Sequence, residues 1–306
     1  MGIGLSLVPV VDFFAERRFR SAGLQPYTIP VDHETTVACW LSQSPKQPPS
    51  LPPLVLIHGF GPRSTWQWRC QVGPLSRHFS LIVPDLVFFD GSTSTSPLRS
   101  EAFQADALAR LLEHLGLDDQ PVSVVGTSYG GFVAYHLARA LGPSRVDKVV
   151  IASSDLLKGE ADDQALRNRG NVGSVAELLL PKEAEKVRTA LNLAMYQPPR
   201  YIPDFVIRDM IQNLYKDKIE EKMELIKGST IGKENFELTP IPQDVLIIWG
   251  EHDQIFPLDK AHEVKRILGE KSEKVKLEIM QKTGHMPQTE DPTRFNQILL
   301  DFLLNK

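Results

Sequence analysis

A serine held between close-set glycines at the end of an apolar run is the feature of this chain best suited to chemistry. Residues 122–125 read as a short buried strand and residues 132–141 as a helix. The stretch Val125-Gly126-Thr127-Ser128-Tyr129-Gly130-Gly131 must therefore turn one into the other within a few residues. Such a turn strains the backbone at its apex, and bulky neighbours would collide there. Ser128 is the residue held out at the tip, in the Gly-x-Ser-x-Gly pattern of a nucleophile elbow. A glycine-flanked serine is also an ordinary turn. A serine hydroxyl attacks a carbonyl only when a base takes its proton, so the chemical reading requires an acid and a histidine elsewhere in the chain.

Both are present downstream. Asp253 lies in Gly250-Glu251-His252-Asp253-Gln254-Ile255-Phe256-Pro257, and His285 in Thr283-Gly284-His285-Met286-Pro287, each just past an expected strand. His285 would accept the Ser128 proton and return it to the leaving group, while Asp253 fixes the tautomer and stabilises the imidazolium. Glu251 is the alternative acid, and the position of Asp253 four residues before Pro257 favours the aspartate. The oxyanion formed on attack needs backbone donors. The loop His58-Gly59-Phe60-Gly61, directly after a strand, offers the Phe60 N–H, and the residue after the serine offers the Tyr129 N–H. Loss of one such donor costs about 2.7 to 4 kcal/mol of transition-state stabilisation.

Strand and helix alternate in the surrounding sequence. Strands are expected at 36–41, 54–58, 80–84, 121–125, 146–152, 244–249 and 274–280, and helices at 101–115, 132–141, 258–268 and 292–304. This alternation implies a mostly parallel sheet with helices on both faces. It lapses between about 155 and 236, where helical patterns at 175–180, 182–194, 204–214 and 218–226 follow one another. An insertion between two such strands emerges at their carboxyl ends, where ligands bind, so it should act as a lid. The expected division is a core of residues 1–154 and 237–306 with an all-helical cap of residues 155–236. The charged run 219–227 reads as a solvated helix face.

Composition narrows the functional classes. With 306 residues, a net charge of −4 and no basic run, the chain has no electrostatic reason to bind nucleic acid. Cys39 and Cys70 are too few for a disulfide framework and read as buried thiols in a reducing compartment. His33, His78, His114, His136 and His262 have no companions at metal-ligand spacing, and neither a metal nor a cofactor is called for. No apolar stretch approaches the roughly 20 residues needed to span a bilayer, which makes a cytoplasmic protein the expectation. Met1-Gly2-Ile3-Gly4-Leu5-Ser6 fits the pattern for myristoylation of Gly2, which together with an amphipathic helix over 7–20 would give reversible membrane association. In the alternative, Leu7, Val11, Phe14 and Phe19 pack on the main domain. Nothing in the sequence sets an oligomeric state.

From about residue 30 to the end, the elbow, the His58-Gly59 loop, the Asp253 loop and the Gly284-His285 loop resemble the α/β-hydrolase superfamily, whose order of Ser, Asp and His this chain shares. Within it the chain looks like plant esterase or lipase-like serine hydrolases and like bacterial carbon-carbon bond hydrolases of aromatic degradation. The resemblance implies a serine esterase acting on a small to medium, largely apolar ester. Hydrolysis of vinylogous diketones is the alternative, and a hydrolase-fold hormone receptor the reading from another class. Asp85-Leu86-Val87-Phe88-Phe89-Asp90-Gly91-Ser92 replaces the Asp-x-Pro-Gly-x-Gly loop of many capped members, which brings Phe88 and Phe89 toward the pocket mouth. Met286 follows the histidine where carbon-carbon hydrolases often carry an aromatic residue, and Gly61-Pro62-Arg63 keeps only part of their oxyanion loop. The expected substrate contacts are Phe60, Tyr129, Phe88, Phe89 and Met286. Trp66, Trp68, Met195, Tyr196, Tyr201, Phe205 and Phe256 are further candidates.

Overall fold

In a computed structural model of the chain, residues 6–45, 47–61, 63–229, 236–270 and 273–304 are described. Gly2, the candidate acylation site, lies outside them. The chain begins with α1 (Val8–Ser21), β1 (Gln25–Pro30), β2 (Thr35–Leu41), β3 (Pro53–Ile57), α2 (Ser64–Trp68), α3 (Val72–Leu75), β4 (Ser80–Pro84) and a two-residue β5 (Thr93–Ser94). It continues with α4 (Glu101–His114), β6 (Val122–Thr127), α5 (Tyr129–Leu141) and β7 (Val146–Ala152). Five helices follow without a strand: α6 (Glu160–Gly170), α7 (Ala176–Leu179), α8 (Ala184–Ala194), α9 (Asp204–Met210), which runs into a π-helical turn Ile211–Tyr215, and α10 (Ile219–Gly228). The last elements are β8 (Asp244–Gly250), α11 (Leu258–Leu268), β9 (Val275–Met280), α12 (Pro287–Glu290) and α13 (Pro292–Leu304).

The strands form one sheet in the order β1-β2-β4-β3-β6-β7-β8-β9, with β5 paired to β2. From β4 to β9 all pairings are parallel, whereas β2 pairs antiparallel with β1 and β4. The central strands are continuous apolar runs because both faces are covered. Val55, Ile57, Val149, Ile151, Val245 and Ile247 pack against α4, α5 and α11, and their neighbours Leu54, Leu56, Val150, Leu246 and Ile248 against α1, α3 and α13. The side-chain period of two sorts alternate residues into the two layers. Local signals start the helices: the Ser100 hydroxyl accepts from the Phe103 N–H at the head of α4, and Pro292 opens α13.

The sheet reverses direction at β3. The chain leaves β3 for β4 on one side and later returns to place β6 on the other, so the loops after β3 and β6 diverge. A crevice outside the carboxyl ends of these two strands is where an open α/β sheet binds ligands. The helical insertion lies between β7 and β8 and has small cores of its own, Leu166, Leu178 and Leu193 in one and Val187, Ile207 and Ile211 in the other. Among the described residues no helix is long and apolar enough to cross a membrane.

Three expectations change. The edge strand β1, the short helices α2, α3 and α12, and α6 are additional elements. Cys70 is half-buried, not buried like Cys39. On α1, Val8, Ala15 and Phe19 face the core, while Val11 and Phe14 are exposed. Phe14 lies toward the face opposite the buried stripe, while Val11, three residues after Val8 and four before Ala15, sits at the edge of the stripe and is still exposed.

Candidate active site

β6 is buried along its whole length and delivers Ser128 to the head of α5 with φ 52° and ψ −123°. With ψ at −123° this positive φ lies outside even the left-handed helical region, so a residue with a side chain is strained there, and the strain persists because the surroundings over-determine it. The glycines on either side are required by close approach. A Cβ on Gly126 would lie 2.1 Å from the Gly130 carbonyl oxygen, and one on Gly130 would lie 2.4 Å from that of Ile57. The Ser128 N–H donates to Ala152 O at 2.8 Å, and the Ser154 hydroxyl donates to Ser128 O at 2.7 Å, which clamps the turn to the end of β7.

The loops after β8 and β9 bring Asp253 and His285 to the same edge. Ser128 Oγ lies 2.9 Å from His285 Nε2, and His285 Nδ1 lies 2.8 Å from Asp253 Oδ2. Asp253 Oδ1 accepts from the N–H groups of Ile255 and Phe256 at 2.8 and 2.9 Å, leaving Oδ2 for the imidazole. With Nδ1–H donated to the carboxylate, Nε2 is left to accept from the serine hydroxyl. Glu251 is exposed and directed at His252 and the Lys282 N–H, so it takes no part in this chain of contacts.

Phe60 and Tyr129 are also brought together. Their rings meet edge to face with centroids 5.8 Å apart, and a Cβ on Gly59 would lie 2.9 Å from Ser128 Cβ, so the loop after β3 passes against the serine. Tyr129 opens α5, where a backbone N–H has no acceptor within the helix. Gln67 on α2 holds the loop: its Oε1 accepts from the Gly59 N–H at 2.8 Å and its Nε2 donates to Gly59 O at 3.3 Å.

Phe88 and Phe89 part company. Phe89 meets Phe60 at 5.2 Å and His58 at 5.0 Å and so borders the site. Phe88, with φ 73°, turns to stack on Phe103, with the Arg99 guanidinium 4.2 Å from its ring. Met286 is half-buried and follows His285 directly, and the Phe256 ring lies 5.3 Å from the His285 imidazole. Trp68 belongs to the core on the far side of the sheet, and Tyr201 and Phe205 are exposed.

Several residues that support the site carry no signal in the sequence. Glu290 accepts from the Gly284 N–H at 2.7 Å and from the Tyr196 N–H at 2.8 Å, and the His285 N–H donates to Ala194 O at 2.7 Å. These bonds fasten the histidine loop to the end of α8. Lys222 corrects the reading of 219–227 as a solvated face: it is buried, with Nζ donating to Asp217 O and lying 5.2 Å from the Phe89 ring. Burial lowers the pKa of its amine.

Behind the Phe60 loop, His58 is fully buried, with Nδ1–H donating to Gly59 O at 2.7 Å and Nε2 accepting from the Leu86 N–H at 2.9 Å. Burial pulls its pKa down from 6.5 to about 4. The unfolded chain therefore binds a proton here below pH 6.5 that the native state refuses until about pH 4. The imidazole's contribution is present above pH 6.5 and is lost as pH falls. The stability difference between wild type and His58→Asn, measured by urea unfolding, should widen in favour of the wild type by about 3 kcal/mol from pH 4 to 6.5. A difference independent of pH would mean that His58 is solvated. Asp85 acts in the opposite sense, since burial and the nearby Asp90 carboxylate push its pKa up to about 7.

The family described as alpha/beta hydrolase fold matches residues 52–292. A monoacylglycerol lipase from Homo sapiens is 24% identical over 285 residues, covering 89% of this chain and 81% of its own. A 2-hydroxy-6-oxononadienedioate/2-hydroxy-6-oxononatrienedioate hydrolase from Dechloromonas aromatica is 27% identical over 279 residues, covering 82% and 86%. Among solved structures, the 2-hydroxy-6-oxo-6-phenylhexa-2,4-dienoate hydrolase of Rhodococcus sp. strain RHA1 shares the fold with a TM-score of 0.74 at 20% identity, over 92% of this chain and 99% of that one.

Proposed function

The chain belongs to the α/β-hydrolase fold family, and on that premise we propose that it is a serine hydrolase cleaving carboxylic esters through an acyl-enzyme on Ser128. The unbroken line from Ser128 Oγ through His285 to Asp253, with steps of 2.9 and 2.8 Å, carries this reading. As Oγ attacks the ester carbonyl, its proton passes to His285 Nε2, and the imidazolium is stabilised by the Asp253 carboxylate. The carbonyl oxygen, now an oxyanion, accepts from the N–H groups of Phe60 and Tyr129. Collapse of the tetrahedral intermediate expels the alcohol, which takes the proton from Nε2. Water then repeats the sequence on the acyl-enzyme and regenerates Ser128.

The substrate class follows from the surfaces nearby. Phe60, Phe89, Tyr129 and Phe256 border the reacting atoms, which suits a small to medium, largely apolar ester. The similarity to a monoacylglycerol lipase points the same way. Residues 155–236 act as a cap over the site, and the Ala194, Tyr196 and Glu290 bonds to the histidine loop support that role.

Carbon-carbon bond hydrolysis is the second reading, favoured by the 27% identity to the Dechloromonas enzyme. A panel of p-nitrophenyl esters of graded acyl length, run beside a 2-hydroxy-6-oxo-dienoate, separates the two. The ester reading expects kcat/KM for the best ester to exceed that for the dienoate by at least about tenfold, equivalent to about 1.4 kcal/mol of transition-state binding. The reverse order would assign the chain to the carbon-carbon reaction.

A further inference from the structure

The amino-terminal helix α1 carries two apolar stripes, and only one is used. Val8, Ala15 and Phe19 face the core. Val10, Phe13 and Phe14, 47%, 61% and 56% exposed, recur at spacings of three and four on the opposite face, with Arg17 completing the next turn. Of the nine large apolar side chains exposed among the described residues, six are Val10, Val11, Phe13, Phe14, Tyr201 and Phe205. The two segments that carry them are joined at the start of α1: Asp209, one turn after Phe205 on α9, accepts from the Leu7 and Val8 N–H groups at 2.7 and 2.9 Å.

Beside this face runs a groove of about 830 Å³ in which Phe14 stands next to Arg17, Arg18, Arg69 and Arg77. No carboxylate lines it, and among the described residues none of the four guanidinium groups makes an ion pair. This is a concentration of positive charge on a chain whose net charge is −4. We propose that the outer face of α1 and its arginine groove form a docking surface for an anionic lipid bilayer. The aromatic and valine side chains enter the boundary between headgroups and acyl chains, and the arginines meet the lipid phosphates and carboxylates. A symmetric dimer through the same face would set the four arginines of one copy against those of the other, which disfavours a second copy as the occupant. Asp12, on the same helix, accepts from Trp66 Nε1 at 2.7 Å and pairs with Arg63 at 3.0 Å, so the docking surface is tied to the segment that follows the Phe60 loop.

The inference does not depend on the chemistry proposed for Ser128, and its test reads binding. Unacylated protein of residues 1–306 is sedimented with vesicles of phosphatidylcholine alone and of phosphatidylcholine doped with phosphatidylserine. Partitioning should require phosphatidylserine and weaken as salt is raised. The Phe13→Ser/Phe14→Ser variant should lose at least about tenfold in partitioning, and Arg17→Gln/Arg77→Gln about fivefold for each arginine removed. Melting temperature and turnover of soluble esters should stay at wild-type values in both. Equal partitioning of wild type and both variants, or binding indifferent to phosphatidylserine, would overturn the proposal. So would a dimer in analytical ultracentrifugation that Phe13→Ser/Phe14→Ser dissolves, since the face would then belong to a second copy.

Discussion

Replacing Ser128 by alanine should lower kcat for p-nitrophenyl esters by about 10⁵ to 10⁶, roughly 7 to 8 kcal/mol of barrier, with the fold intact. The methyl side chain keeps the positive φ that the turn imposes at this position, so the loss is confined to the attacking oxygen. His285→Ala should cost a similar factor, and the double variant should be no slower than either single one, because hydroxyl and base act as one unit. Multiplicative losses would show that the two groups act separately. Asp253→Asn gives a more specific result. Oδ1 accepts two backbone N–H groups, so the amide oxygen of an asparagine takes that side and its NH₂ faces His285 Nδ1. The imidazole proton is then driven to Nε2, which can no longer accept from Ser128, and kcat should fall about 10⁴-fold although no atom has moved far.

Much of this architecture is legible before any coordinates. The central strands read within a residue or two because burial on both faces leaves uninterrupted apolar runs such as Leu54–Ile57 and Val245–Trp249. Ser128, Asp253 and His285 stand out because each follows such a run at a turn, and parallel strands deliver their carboxyl ends to one edge. The missed elements lack that signal. Edge strand β1 has one side in solvent and a proline at each end of its central Tyr27-Thr28-Ile29, so neither alternation nor composition marks it. Lys222 is invisible among the glutamates and lysines of α10, because its burial depends on how that helix sits over Phe89. Phe88 and Phe89 look equivalent in sequence, yet the positive φ of Phe88 sends one ring to Phe103 and leaves the other at Phe60. Packing between distant segments decides these cases.

The smallest substitution with a large structural consequence should be Gly130→Ala. Gly130 lies in α5, where alanine is favoured over glycine by about 1 kcal/mol through backbone entropy alone. The added Cβ would sit 2.4 Å from Ile57 O and 2.5 Å from His58 O, however, and both are backbone atoms at the end of β3 that cannot rotate away. Helix and strand must separate, and the segment that yields is the one that leads into Phe60 and packs against Ser128. Steric cost should outweigh propensity, with a loss of at least about 4 kcal/mol in urea unfolding. Any folded fraction should show a reduced kcat with little change in KM, because the oxyanion donors move relative to Oγ. Unchanged stability and kcat in Gly130→Ala would mean that α5 and β3 are not in the close contact that holds Ser128 at the crevice edge.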